Sequence, residues 1–177
     1  QHVAERVRYD LGPDGRPRTD RHGRRTGREW NSRPSYRQNW WLFGEPRKEM
    51  RPALEGLARY IATVETAKHR VFQFLDGSIL PDNMIVTIAD EDAATLAILS
   101  SRVHTNWALL SGATLEDRPR YSKSRCFDPF PFPDPPDGLR RSLRAAGEEL
   151  DALRKTVLAD HPDLTLTGLY NVLEKIK

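Results

Sequence analysis

Acidic side chains are the first candidates for chemistry in this sequence. Asp90, Glu91 and Asp92 are consecutive, and Asp134-Pro135-Pro136-Asp137 places two prolines after a polar residue. A nuclease would pair its acids with a lysine at Glu-x-Lys spacing, which the first group lacks, so these acids are better interpreted as a helix start. A methyltransferase acting on a base amino group would need an aromatic residue after the prolines, to stack on the flipped base. Asp137 cannot stack, so neither group predicts a catalytic site.

The cysteine and histidine content argues against a metal centre. Cys126 is the single cysteine, which excludes an internal disulfide and a multi-cysteine metal site. The five histidines are scattered, and none pairs with another histidine or with the cysteine at zinc spacing. No Gly-rich cofactor loop accompanies the proline motif. We therefore expect neither a metal nor a bound cofactor in this chain.

Arginine is concentrated near the start of the chain. From Arg21 to Arg37 there are six arginines against one acid, Glu29, although the net charge of the whole chain is only +3. Such a local excess of positive charge suits a polyanion. The alternative is a solvated linker that happens to be basic, and a flexible arginine-rich linker could be both. Residues 1–38 are therefore expected to form a basic connector.

Two later clusters also carry hydrogen-bond donors. Lys68-His69-Arg70 places three donors within one turn of chain, which suits phosphates, although a basic surface loop is the alternative. Ser100, Ser101, Arg102 and His104 are close enough in sequence to share a surface. Arg102 could donate two hydrogen bonds to guanine, or it could be a helix-capping or ion-paired arginine. His104 could equally be a buried, hydrogen-bonded histidine.

A small sheet and its neighbouring helix are the elements that must position these residues. Asp90 or Asp92 is expected to cap a helix that runs toward Leu110, with a break near Ser100-Ser101. Near-alternating Val, Ile, Phe and Thr predict three short strands, at Tyr60 to Thr66, Arg70 to Leu75 and Met84 to Ala89. A mostly antiparallel sheet packed against helices predicts an α+β fold.

Proline content and apolar periodicity predict the remaining segments. Pro46 suits the first turn of a helix that should end near Arg59. Six prolines between Ser111 and Pro136 predict an irregular loop. Five aromatic residues are expected to be packing anchors rather than platforms for stacked bases: Trp40, Trp41, Phe127, Phe130 and Phe132.

The C-terminal part has a helical pattern. Apolar residues recur every three or four positions from Leu139 to Val157, which predicts an amphipathic helix with a coiled-coil-like seam, started by Asp137. A second short helix is expected from Gly168 to Ile176. Its inward-facing residues would be Leu169, Val172 and Leu173.

Several short motifs occur together in one order along this chain. They are Trp40-Trp41-Leu42-Phe43-Gly44, Arg59-Tyr60-Ile61-Ala62-Thr63, Leu80-Pro81-Asp82, Ser100 to His104, Tyr121 and the closing Phe130-Pro131-Phe132-Pro133. In this order they resemble the target recognition region of MmeI-like DNA adenine methyltransferases, single-chain proteins of restriction-modification systems. The resemblance implies a DNA target recognition domain at 39–133, and a helical C-terminal extension at 134–177. It also implies a linked catalytic domain that binds S-adenosylmethionine, so we expect this chain, which begins with Gln, to be a piece of a longer protein.

The resemblance also points to the residues that would choose a DNA sequence. In MmeI-like proteins, positions just before the aromatic and basic segment help to select the recognised base pair, and Glu116 and Arg118 fall on the matching places. Glutamate accepts a hydrogen bond from the cytosine amino group and arginine donates to guanine, so this pair could read one C·G pair. The alternative is a surface charge cluster. Base readout is therefore expected from Glu116, Arg118 and Arg102, and phosphate contacts from Lys68, Arg70, Arg120, Lys123, Arg24, Arg25 and Arg28.

The resulting expectation is a double-stranded DNA recognition module of a cytoplasmic phage-defence protein, with no catalysis of its own. No run of the sequence approaches 18 apolar residues, so no contact with a membrane is expected. One rival is a protein-interaction module that docks a partner on the 139–157 helix. A second is a self-contained enzyme of an unrecognised class.

Overall fold

The computed structural model describes residues 21–22, 49–115 and 118–176. The chain divides into two compact units, Gln1–Lys48 and Glu49–Lys177. In the first unit, Arg21 and His22 are exposed, and Arg21 Nε donates to His22 Nε2 at 3.1 Å. The expectations for the basic connector, and those for Glu116, Trp40, Trp41 and Pro46, fall outside the described residues.

A three-stranded antiparallel sheet is the centre of the second unit. Its strands are β1 Arg59–Val64, β2 Gln73–Asp76 and β3 Ile85–Ile88, in the order β2-β1-β3. In the middle of the sheet, Ile61 pairs with Phe74 on one side and with Ile88 on the other. The three strands predicted from alternating apolar residues are confirmed, with each end shifted by up to three residues.

Three helices flank the sheet strands in the sequence. The helix α1 Met50–Leu54 precedes β1, and α2 Ala93–Ser100 and α3 Arg102–Ser111 follow β3. Asp92 caps α2, because its carboxylate accepts from Ala94 N at 3.0 Å. Ser101 caps α3 by accepting from His104 N at 3.2 Å, so the break predicted near Ser100-Ser101 is confirmed. The prediction for α1 was wrong at its C-terminal end, since Arg59 begins β1 instead of ending the helix.

The hydrophobic core lies between the sheet, α2 and α3. The buried side chains that form it are Ile61, Phe72, Phe74, Ala93, Leu96, Leu99, Ala108, Tyr121 and Cys126. The first and last of these residues, Ile61 and Cys126, are 65 positions apart in the sequence. The core therefore joins β1 to the segment that contains Cys126.

The segment from Ser111 to Pro136 is more regular than its proline content predicts. Ala113–Leu115 (β4) and Arg118–Arg120 (β5) form an antiparallel hairpin, and Lys123–Phe127 is a π-helical turn. Proline is tolerated in the strand because β5 is short and lies in a two-stranded ribbon, where few backbone N–H groups are needed for pairing. The expectation of an irregular loop was wrong for residues 113–115, 118–120 and 123–127.

Two helices complete the unit: α4 Asp137–Asp160 and α5 Leu166–Ile176. The leucine seam of α4 packs only in part, because Leu139 and Leu153 are 55% and 60% exposed, whereas Leu143, Leu150 and Val157 are partly buried. The fully buried residues of α4 are Gly147, Asp151 and Arg154.

Close approach and hydrogen bonding explain why Gly147 and Arg154 of α4 are buried. A Cβ added at Gly147 would lie 2.0 Å from the carbonyl oxygen of Ala93, so glycine lets α4 touch the start of α2. Arg154 Nη1 donates to the carbonyl of Phe72 at 2.7 Å. In α5, the expectation that Val172 and Leu173 face inward was wrong, since each is 46% exposed. No helix in the described part of the chain combines the length and the apolar character that crossing a membrane requires.

Candidate nucleic-acid interface

The β4–β5 hairpin presents the predicted readout segment at the surface. Ala113 pairs with Arg120, Thr114 with Pro119 and Leu115 with Arg118. Glu116 and Asp117, which come between the two strands in the sequence, lie outside the described residues. Arg118 is exposed at the start of β5. The structure therefore places an exposed Arg118 in the Leu115–Arg118 pair of the β4–β5 hairpin.

The hairpin is attached to the end of β1 by backbone hydrogen bonds. Tyr121 N donates to Glu65 O at 2.7 Å, and Ala67 N donates to Pro119 O at 3.3 Å. Thr66 and Arg120 form an isolated antiparallel bridge between these two segments. The side chains of Arg120 and Glu65 add an ion pair. The hairpin is consequently an extension of the sheet rather than a free loop.

Arg70 connects the same two segments through its side chain. Its guanidinium donates to Thr63 Oγ1 at 3.0 Å, Glu65 O at 3.3 Å and Pro119 O at 3.1 Å, and also to Val64 O. Burial lowers the pKa of Arg70 from its ordinary value, although an arginine remains charged in proteins. These contacts occupy the donors that sequence reasoning assigned to phosphate. The structure does not present Arg70 as a free surface cation.

Lys68, two residues earlier, has a different environment. Its ammonium group donates to Asn171 Oδ1 at 2.8 Å and forms an ion pair with Glu174 at 2.9 Å, and its side chain is 58% exposed. The neighbouring His69 ring also contacts Asn171 Oδ1, at 2.9 Å from Nε2. The cluster Lys68-His69-Arg70 is thus divided: two members bind α5, and the third binds the hairpin.

Basic side chains continue from the hairpin into the π-helical turn. Lys123 forms an ion pair with Asp128 at 2.8 Å and remains 77% exposed. Ser124 and Arg125 are exposed, while Cys126 of the same turn is buried, and its carbonyl accepts from Trp107 Nε1 of α3 at 3.0 Å. Sequence reasoning missed Arg125. The signal was present, because Arg125 continues the series of basic residues formed by Arg118, Arg120 and Lys123.

Arg102 and His104 lie on different faces of α3. Arg102 is exposed in the first turn, where the Ser101 cap begins the helix. His104 is fully buried, with Nε2 at 3.0 Å from the hydroxyl of Tyr121. Phe130 lies against the His104 ring, edge to face, at a centroid distance of 4.4 Å. Arg102 therefore remains a candidate for base contact, and His104 belongs to the core.

Burial also changes the acid–base behaviour of His104. Desolvation lowers its pKa to about 4, and the nearby positive charge of Arg70 acts in the same direction. Its Nδ1 atom has no hydrogen-bond partner among the described residues, so a proton there would be unsatisfied. Burial also raises the pKa of the Tyr121 hydroxyl. Both groups are uncharged at neutral pH.

The consecutive acids after β3 serve the fold. Asp92 binds Arg144 at 2.8 Å and Arg140 at 3.4 Å in addition to capping α2, and the hydrogen bond from Arg144 holds the pKa of Asp92 well below its usual range. The Glu91 carboxylate accepts from Ala58 N at 3.3 Å. Within residues 49–115 and 118–176, no group of three or more His, Cys, Asp or Glu residues is arranged to hold a metal ion.

Comparisons with known proteins agree on one family. The family model for the MmeI target recognition domain matches residues 48–134. DNA methyltransferase A of Bacillus subtilis (strain 168) is 32% identical over 89 residues, which are 50% of this chain and 10% of that protein. The solved structure of the type IIL restriction-modification enzyme MmeI in complex with DNA aligns with a TM-score of 0.57 at 26% identity, covering 64% of this chain and 15% of that one. The chain thus spans about a tenth of the curated relative, and its residues 48–134 belong to the MmeI target recognition domain family.

Proposed function

We propose that this chain is the part of a larger adenine-N6 DNA methyltransferase, of a restriction-modification system, that recognises a specific sequence in double-stranded DNA. The observation that carries the proposal is the exposed Arg118 on a hairpin that is fixed to the sheet, within the segment matched by the target recognition family. Preorganised donors on a rigid element are what direct readout of base edges requires. In this proposal, Glu116 and Arg118 contact one base pair, and Arg102 contacts a second position.

Phosphate contacts are assigned to the basic side chains that flank the hairpin. Arg120, Lys123 and Arg125 lie after the readout segment and are exposed. The first two have acidic partners, but exposed ion pairs contribute at most about 1 kcal/mol, so a phosphate can replace the carboxylate. Lys68 is a further candidate for a phosphate contact. The proposal also assigns phosphate contacts to Arg24, Arg25 and Arg28 of the connector.

The methyl transfer itself belongs to a linked catalytic domain in this proposal. The described residues include no Gly-rich loop after a strand of the kind that holds S-adenosylmethionine, and Glu91 and Asp92 are committed to the fold by their hydrogen bonds. We therefore assign to this chain only the reading of bases that flank the methylated adenine. The parent protein would bind the cofactor and extrude the adenine.

Salt dependence of DNA binding tests this function. The contacts of Arg120, Lys123 and Arg125 alone predict a slope of roughly −2.7 in a plot of log K against log salt, which is on the order of a 40-fold loss of affinity between about 50 and 200 mM salt, and each further contact, from Lys68 or the connector, steepens the slope by about 0.9. Replacing Lys123 or Arg125 by alanine should reduce the slope by about one unit. Arg141, an exposed arginine on α4, provides the matched control, because its replacement should leave the slope unchanged.

A different outcome would favour the interaction module. Leu139 and Leu153 are exposed on α4, so they could form a contact between copies or with another protein. Absence of saturable DNA binding at about 50 mM salt, together with self-association that Leu153→Glu abolishes, would contradict the DNA-reading function.

A further inference from the structure

The position of the β4–β5 hairpin depends on its contacts with the residues that follow β1. Its strands pair with each other, and β5 is joined to that segment by the Thr66–Arg120 bridge, by the Arg120–Glu65 ion pair and by backbone hydrogen bonds at Pro119 O and Tyr121 N. Arg70 adds a further side-chain connection, because one guanidinium reaches Pro119 O on the hairpin and Glu65 O on the sheet side. The same group lies 5.1 Å from the centre of the Tyr121 ring.

This set of acceptors suits arginine and no other side chain. The planar guanidinium carries five N–H donors in a fixed fork, so it can serve carbonyls from two chain segments at once. A lysine at this position would keep the charge, but its single nitrogen could not span Thr63, Glu65 and Pro119 with the same geometry. Removal of the guanidinium would take one donor from each of these carbonyls and leave Glu65 O and Pro119 O with only the backbone N–H groups of Tyr121 and Ala67.

We propose that Arg70 is a positioning residue for sequence readout: it fixes the β4–β5 hairpin to the end of β1 and so sets the direction in which Arg118 meets a base pair. This inference rests on the proposed DNA-reading function. Arg70 acts through the hairpin backbone and contacts no base or phosphate. The hypothesis from sequence alone, in which Arg70 binds a phosphate, makes the opposite prediction for a lysine substitution.

Amide hydrogen exchange on the 177-residue chain tests the positioning step without DNA. In Arg70→Met, exchange should become at least about tenfold faster at Ala67 and Tyr121, whose N–H groups donate across the junction of hairpin and sheet. Arg59→Met is the matched control, because the Arg59 guanidinium also lies on an aromatic ring, that of Phe74, and also donates to a backbone carbonyl, at the other end of β1. It should leave those two amides unchanged. Equal exchange at both amides in wild type and Arg70→Met would overturn the inference.

Base discrimination tests the consequence for function. The ratio of affinities for the preferred duplex and for one with a single base pair changed should fall about tenfold in both Arg70→Met and Arg70→Lys, as expected when one good base contact is lost. The slope of affinity against salt should stay at the wild-type value. A direct phosphate contact would give a different result. Arg70→Lys would then keep the wild-type ratio of affinities, and the slope of affinity against salt would fall by one unit in Arg70→Met. If the wild-type chain does not bind DNA, the proposed function fails, and the exchange experiment still decides whether Arg70 fixes the hairpin.

Discussion

Neighbouring polar residues in this domain have different roles because some are exposed and others are buried. Arg102 and His104 are two positions apart on α3, yet the first is exposed and the second is enclosed by Phe72, Tyr121 and Phe130. Burial makes the neutral form of His104 the stable one. The charge state of His104 is therefore linked to the stability of the fold rather than to DNA.

The stability of the domain should accordingly depend on pH through His104. Its pKa is about 4 in the folded state against 6.5 when unperturbed, so between these values the unfolded state binds more protons. The contribution of His104 to the free energy of unfolding is fully present above pH 6.5. It is lost as the pH falls toward 4, which lowers the free energy of unfolding by up to roughly 3 kcal/mol. His104→Gln keeps a hydrogen-bonding side chain that does not titrate. Urea unfolding of both proteins at about pH 7.5 and about pH 4.5 measures the difference.

Carboxylates such as Asp92 and Glu148 also have lowered pKa values, and they contribute to the pH dependence of both proteins equally. The comparison therefore isolates the histidine. A loss of stability between the two pH values that is the same in wild type and His104→Gln would contradict this assignment.

Sequence reasoning could identify which residues are basic but not what each one binds. The series Arg118, Arg120, Lys123 and Arg125 is visible in the sequence, and the structure places all four at the surface. Arg70 has the same side chain, but its acceptors come from β1 and from Pro119, 49 residues later. Only the tertiary fold brings these carbonyls together, so no local pattern could separate Arg70 from the surface cations.

At the scale of elements, the junction between α2 and α4 depends on one glycine. Glycine in a helix interior costs about 1 kcal/mol relative to alanine, but at Gly147 a Cβ would lie 2.0 Å from Ala93 O, which is backbone and cannot move aside cheaply. We expect Gly147→Ala to destabilise the domain by about 1 to 3 kcal/mol through overpacking. Chemical denaturation gives this value directly.

Gly138 provides the control for this prediction. It lies in the first turn of the same helix, and a Cβ there would meet nothing within 4 Å. Gly138→Ala should leave the stability unchanged or raise it by up to about 1 kcal/mol. Equal effects of the two substitutions would show that α4 does not pack closely on α2.

Elements with a clear local signal were predictable, and those stabilised by distant partners were not. Alternating apolar residues predicted β1, β2 and β3, and the Ser100-Ser101 pair predicted the break between α2 and α3. The β4–β5 hairpin was missed because its strands are three residues long and its anchoring partner is the Glu65 to Ala67 segment. The fully buried positions of α4 were missed because they are a glycine and two hydrogen-bonded polar residues, which periodicity of apolar residues cannot detect.

At the scale of the whole molecule, residues 49–177 form one compact unit in which the C-terminal helices are bound to the sheet domain. Arg59 forms an ion pair with Glu148, Arg154 donates to Phe72 O, and Lys68 binds α5 through Asn171. The family match ends at residue 134, but these polar contacts continue beyond it. Exposed basic residues follow the β4–β5 hairpin in the sequence, whereas Asp92, after β3, is paired with Arg140 and Arg144 of α4. α4 and α5 therefore support the sheet domain structurally, and in the proposed function the side of the β4–β5 hairpin contacts DNA.

Selection of bound sequences from a pool of random duplex DNA tests the central claim most directly. The wild-type 177-residue chain should enrich one motif, and Arg118→Ala and Glu116→Ala should each lose the preference at the same base pair, because both residues are assigned to it. Arg141→Ala should select the wild-type motif. Absence of any enriched motif, or an unchanged motif in Arg118→Ala, would contradict the assignment of the hairpin to sequence readout.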